Sequence, residues 1–194
     1  MTEIVRPKKF AHVVYRTRRF AEMLRWYQTV FGATIQHQNP ALAFLTYDDE
    51  HHRIALLNLD AVLPGGEPTG VPRRSPGVDH VAYGYGSLRD LLENYERLKK
   101  QDILPYWCIH HGITVSMYYA DPDGNQMEFQ VDSFRVNDDA NAFMEGPHFG
   151  ENPIGVVYDP DAMLARLRAG EPEEGMLMRT VHQPVAALRG SMVE

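Results

Sequence analysis

Apolar and polar positions along the chain follow two alternating periods. A period-two run at FAHVVY (Phe10 to Tyr15) predicts a short strand. From about Arg18 to Val30 the spacing changes, with Phe20, Met23, Leu24 and Tyr27 placed as on one face of an amphipathic helix, and Gly32 suits its C-cap. Three strand-like runs follow, at about Thr34 to Gln38, Leu42 to Tyr47 and Arg53 to Leu59. The series then repeats. A shift of 68 residues lays FAHVVY on VDHVAY (Val78 to Tyr83), and Phe20, Met23, Leu24, Tyr27 and Ile35 on Leu88, Leu91, Leu92, Tyr95 and Ile103. The second unit has its own helix, about Ser87 to Gln101, and runs at Ile103 to Ile109, Thr114 to Ala120 and Gln126 to Asp132. Each unit therefore reads βαβββ.

A Pro/Gly-rich connector from Pro64 to Gly77 separates the units. Past Asp132 the repeat stops, and the remaining stretch offers one helical candidate, Pro160 to Ala169. The expected organisation is one domain over residues 1–134, with module one at about 8–60 and module two at about 77–133, and a C-terminal extension over 135–194. This extension is too poor in apolar periodicity to be an independent domain, and suits a cover for a pocket mouth or a partner subunit.

Composition narrows the class. At 194 residues, 44% apolar and 23% charged, the chain is an ordinary globular one. A formal charge of −7 and the absence of a long basic block argue against nucleic acid, and no apolar run is long enough to span a bilayer, so a cytoplasmic protein with no membrane partner is expected. The lone cysteine, Cys108, excludes an internal disulfide and a Cys-rich zinc site. Nine histidines are the unusual entry in the composition.

Two of them, His12 and His80, occupy the same place in the repeat. Alternation puts His12 on one strand face with Phe10 and Val14, and His80 with Val78 and Ala82. A histidine among apolar neighbours is commonly a core residue, but repetition makes both candidates for metal. If the units pair about a pseudo-twofold axis, the two positions approach each other. In GNQMEFQVD, Gln126, Glu128 and Gln130 share one face, which suits either a solvated edge strand or a charged site. The matching region of module one, Arg53-Ile54-Ala55-Leu56, has no carboxylate. His12, His80 and Glu128 thus form a candidate two-histidine, one-carboxylate set, known from non-haem Fe(II) oxygenases and also used for zinc.

Other motifs carry less. Asp121-Pro122-Asp123-Gly124-Asn125 fails as a calcium loop and reads as a turn between strands, and Gly84-Tyr85-Gly86 fails as a dinucleotide fingerprint. Cys108 is a weak nucleophile candidate, Tyr106 and Trp107 suit core packing, and His37, His148 and His182 read as surface residues.

The chain resembles the vicinal oxygen chelate superfamily, and within it the type I extradiol ring-cleavage dioxygenases. The segment from Ile109 to Glu128 carries the resemblance: a histidine, five residues, Met117-Tyr118, two residues, Asp121-Pro122-x-Gly124, three residues and Glu128. His110 and His111 both nearly satisfy its first position, and His111 is the one assigned. His51-His52-x-x-Ala55 is similar to a second family segment. The resemblance covers about residues 8–133 and implies an α+β fold of paired βαβββ modules forming a cupped mixed sheet around a metal site. It further implies His12, His80 and Glu128 on Fe²⁺, with Mn²⁺ the alternative, His52 as acid/base, and His111 and Tyr118 lining the substrate and oxygen side. The implied activity is O₂-dependent meta cleavage of a catechol-type aromatic diol by an enzyme that assembles as a homo-oligomer. Two departures stand out: many members carry four modules where two are present here, and the His52 to His80 interval is longer than usual. The alternatives are an O₂-independent isomerase, epimerase or glyoxalase-like enzyme on the same metal, and a metal-free small-ligand binding protein of the same fold.

Overall fold

A computed structural model describes residues 6–65, 77–179 and 186. Most of the connector (66–76) and His182 lie outside the described residues. The chain divides into two compact units, one holding the first module with the turn Asp121–Gly124, the other holding the rest of the second module with the C-terminal residues.

In the first unit, strand β1 (Val13–Thr17) leads into helix α1 (Phe20–Phe31), then β2 (Thr34–Gln38), β3 (Leu42–Thr46), β4 (Ile54–Asn58) and a single turn of helix, α2 (Leu59–Val62). The sheet order is β1-β4-β3-β2, with β1 and β4 parallel and the other pairs antiparallel. Met23, Leu24, Tyr27 and Val30 of α1 are buried, which accounts for the helical spacing in the sequence. Asp121 joins this unit through Tyr27, whose hydroxyl donates to its carboxylate at 3.0 Å.

The second unit repeats the plan. Strand β5 (His80–Gly84), helix α3 (Leu88–Lys99), β6 (Trp107–His110), β7 (Thr114–Ala120) and β8 (Gln126–Asp132) follow one another. The sheet runs β5-β8-β7-β6, and β9 (Val156–Val157) of the extension adds beside β6. Strand β8 is therefore central rather than an edge, which removes the solvated-edge reading of its Gln-Glu-Gln face. Helix α3 buries Leu88, Leu91, Leu92, Tyr95 and Leu98, and Ser87 caps it by accepting from the Asp90 amide.

Two boundaries differ from expectation. The fourth apolar run was expected from Ile103, yet β6 begins at Trp107, because Pro105 has no amide to place in a ladder. His12 precedes β1 by one residue, and Phe10, Val14 and Val78 are exposed, so the faces shared with His12 and His80 are not core faces.

The extension holds more structure than its single helical candidate. Helices α4 (Asn137–Glu145) and α5 (Pro147–Glu151) precede β9, and α6 (Pro160–Arg168) and α7 (Glu173–Met176) follow it. Only α6 has a buried stripe of any length, Met163, Leu164 and Leu167, and it packs on α3. Helices α4 and α5 bury no residue, so no apolar period announces them. No helix among the described residues is long and apolar enough to cross a membrane.

Candidate active site

The second module brings four of the sequence-derived candidates together. Strand pairing sets His80 at the start of β5 opposite Gln126, and Glu128 opposite Tyr118. His80 Nε2 lies 3.1 Å from Glu128 Oε2, and its Nδ1 lies 2.8 Å from Asp79 Oδ2. His111 Nε2 lies 3.7 Å from Glu128 Oε1 and 3.1 Å from the Tyr118 hydroxyl. These four side chains share the sheet face that looks away from α3 and α6.

Electrostatics follow from this crowding. The hydrogen bond to Glu128, aided by that to Asp79, lifts the His80 pKa to about 9 against the opposing effect of burial. Burial opposes ionisation of Glu128, but hydrogen bonds from His80 and Ser116 and the nearby imidazoles outweigh it and hold the carboxyl below its ordinary value. His111 moves down, chiefly through burial. Burial and the Glu128 charge push the Tyr118 hydroxyl far up, so it stays a proton carrier across the neutral range.

His111 is oriented by the extension. Its Nδ1 meets the Ile154 carbonyl at 2.6 Å, which fixes the proton there and leaves Nε2 to accept from Tyr118. The adjacent His110 turns the other way, into the core, where its Nδ1 accepts from the Gly112 amide at 3.1 Å. Burial drops its pKa to about 4, so it stays neutral. Of the two adjacent histidines, His111 is the one that lines the cavity beside Glu128.

The first module assembles a separate histidine group. The rings of His12 and His52 stand 4.4 Å apart, and those of His51 and His52 4.5 Å. Phe44 completes this group at 4.7 Å from His52. Burial and the neighbouring imidazoles His12 and His51 lower the His52 pKa, which favours its neutral, basic form. At the ladder position corresponding to Glu128 stands Ala55, which pairs with Val14 as Glu128 pairs with Ala82.

Among the described residues no group of three His, Cys, Asp or Glu side chains stands ready to hold a metal. His80 and Glu128 are two donors of the expected three, in one unit, and His12 belongs to the other. The pair has the chemistry a divalent cation needs: an imidazole Nε2 beside an ionised carboxylate, with the other ring nitrogen held by a second carboxylate. Cys108 contributes nothing at neutral pH, since burial raises its thiol to about 12.

A cavity of about 510 Å³ opens on this face. His111, Tyr118 and Glu128 line it from the sheet, and Ala140, Met144 and Phe149 from the extension. Sequence reasoning did not find the last three. No spacing marks them, because α4 and α5 have no buried stripe.

Comparison with known proteins agrees with this construction. A curated Rhodococcus globerulus protein named biphenyl-2,3-diol 1,2-dioxygenase 2 is 47% identical over 167 residues, covering 84% of each chain. Biphenyl-2,3-diol 1,2-dioxygenase 3 of the same organism is 38% identical and covers 88% of each. Among solved structures, lactoylglutathione lyase from Agrobacterium tumefaciens superposes with a TM-score of 0.51 at 18% identity, covering 64% of this chain and 94% of its own. A glyoxalase/bleomycin resistance protein/dioxygenase domain from Frankia reaches 0.52 at 17% identity, covering 66% and 93%. Both share the fold. The profile of one family spans residues 9–129, the stretch that contains both βαβββ modules and every site candidate: the chain belongs to the Glyoxalase/Bleomycin resistance protein/Dioxygenase superfamily.

Proposed function

We propose that this chain is an extradiol dioxygenase, cleaving a catechol-type aromatic diol next to its hydroxyls with O₂, at a mononuclear Fe²⁺ held by His12, His80 and Glu128, with Mn²⁺ the alternative. The observation that carries the reading is the convergence of His80 and Glu128 beside the Tyr118–His111 pair. Support also comes from the two Rhodococcus relatives, whose names describe action on biphenyl-2,3-diol.

When bound, the iron supplies Lewis acidity that eases loss of the diol protons, and open positions for substrate and O₂. Glu128 meets the cation as an anion, and His80 presents Nε2 while Asp79 holds its Nδ1. His52 takes the remaining hydroxyl proton and later returns it to the departing oxygen. Tyr118 donates a hydrogen bond to oxygen on the substrate side, and His111, fixed through Nδ1 by the Ile154 carbonyl, holds the Tyr118 hydroxyl in place. The apolar walls of the cavity exclude water from these transfers.

Anaerobic loading with Fe²⁺, then addition of 2,3-dihydroxybiphenyl and O₂, is expected to give O₂ uptake with a matching rise in visible absorbance from the ring-opened product. Glu128→Gln should lower turnover by about a thousandfold or more and reduce bound iron, the scale of losing several kcal/mol of Lewis-acid stabilisation. Iron uptake with no O₂ consumption on any of several diols would overturn the reading.

A further inference from the structure

The cavity beside Glu128 has walls of two origins. Its polar wall comes from β7, β8 and the turn after β6; its apolar wall comes from the extension. At about 510 Å³ it falls within the roughly 300–1,000 Å³ typical of small-molecule sites, more room than a single six-membered ring needs.

The apolar wall is held in place by contacts on the turn that carries His111. Gly112, at φ +100°, lies under the Phe143 ring; a Cβ there would stand 2.6 Å from that ring. Phe134 and Phe149 pack on Phe143 with ring centroids 5.5 and 6.0 Å away. Arg179 donates to the carbonyls of His111 at 2.9 Å, Asn152 at 2.7 Å and His148 at 3.0 Å. One guanidinium thus joins the His111 turn to the C-terminal end of α5 and the residue after it. Met144, by contrast, is 38% exposed on a helix that buries nothing, so its side chain adds little to the fold. It lines the cavity together with Phe149.

Resting on the diol-cleavage reading, we infer that Met144 and Phe149 are specificity-determining residues that receive the apolar substituent of a ring-substituted catechol. The sheet side takes the two hydroxyls, and the extension takes what the ring carries. A thioether adapts to the outline of a flat aryl group, and an aromatic ring meets it edge to face. The wall therefore selects aryl-substituted diols over catechol itself.

The test uses the iron-loaded full chain and the variants Met144→Trp, which fills the wall, and Phe149→Ala, which opens it. The ratio of kcat/KM for 2,3-dihydroxybiphenyl to that for catechol should fall tenfold or more in Met144→Trp and about fivefold in Phe149→Ala, the range that altered apolar pocket contacts produce. Calorimetric titration with unreactive 2-hydroxybiphenyl gives a readout independent of turnover, and Met144→Trp should weaken its binding by a similar factor. An unchanged ratio with unchanged 2-hydroxybiphenyl affinity in both variants would overturn the inference. If the wild-type protein cleaves no diol while Met144→Trp still weakens 2-hydroxybiphenyl, the dioxygenase reading falls and the wall stands.

Discussion

The two modules match strand for strand, and they part company at two places. In the first, Val14 on β1 lies opposite Ala55 on β4; in the second, Ala82 on β5 lies opposite Glu128 on β8. The repeat thus supplies an equivalent histidine twice, as His12 and His80, but a carboxylate once. A single cation held by two neutral imidazoles needs one carboxylate to leave a net positive centre, and a second anion would weaken its pull on a diol. The other difference is the finish. Module one ends at a short helix, whereas module two continues into an extension that packs α6 on α3 and extends its sheet. The comparison teaches that duplication set the frame, and that local change after it set the chemistry and the pocket.

The largest test of this asymmetry lies in the helix cores. Leu24 of α1 and Leu92 of α3 are equivalent in the repeat, but Leu24 is 7% exposed and Leu92 is fully buried. Truncation of a buried leucine to alanine costs roughly 2–5 kcal/mol, depending on how far the cavity can collapse. Leu92→Ala is expected near the top of that range and Leu24→Ala near the bottom, measured by urea denaturation. Equal costs would mean that the second module gains no extra order from its surroundings.

A smaller effect sits at the helix starts. Arg19 and Ser87 hold equivalent N-cap positions, and only Ser87 gives its helix a side-chain cap. Ser87→Ala should cost about 1 kcal/mol, and Arg19→Ala should show no loss of a cap. Thermal melts of the two variants separate these outcomes.

The smallest effect is in acid. Glu96 on α3 accepts from Arg168 of α6 at 2.8 Å and from Lys100 at 3.0 Å, and the hydrogen bond from Arg168, then that from Lys100, brings its carboxyl down to about 2. A depressed carboxyl adds stability above its ordinary value of 4.5, and that stability is lost as the pH falls from 4.5 towards 2. Module one has Gln28 at the equivalent place. Glu96→Gln should therefore flatten the acid limb of the stability curve slightly, the more so at low salt, because the pair is solvent-exposed.

Much of the frame was legible in the sequence, for identifiable reasons. Strands β2, β7 and β8 fall at the bounds that alternation predicts, because each has a face set by burial or by fixed turns. His80 and Glu128 were legible through repetition and a rigid spacing, and strand pairing brings them within 3.1 Å. The roles of Ile154 and Arg179 were not legible, since one acts through its carbonyl and the other by binding carbonyls, contacts that side-chain type does not announce. Met144 and Phe149 escaped for a related reason: a residue that faces a cavity need not obey the period of a packed helix.

Strand β9 carries one more consequence. Without its two residues, the outer backbone of β6 would present unsatisfied amides and carbonyls along Trp107–His110, a mostly apolar run open to pairing with another chain. The first sheet faces the same hazard at β2 and meets it differently, with the polar run Thr34–Gln38 interrupted by a register shift between Ile35 and His37. The same extension that shapes the pocket therefore also guards the second sheet against self-association, so a change that pulls it away would threaten solubility along with activity.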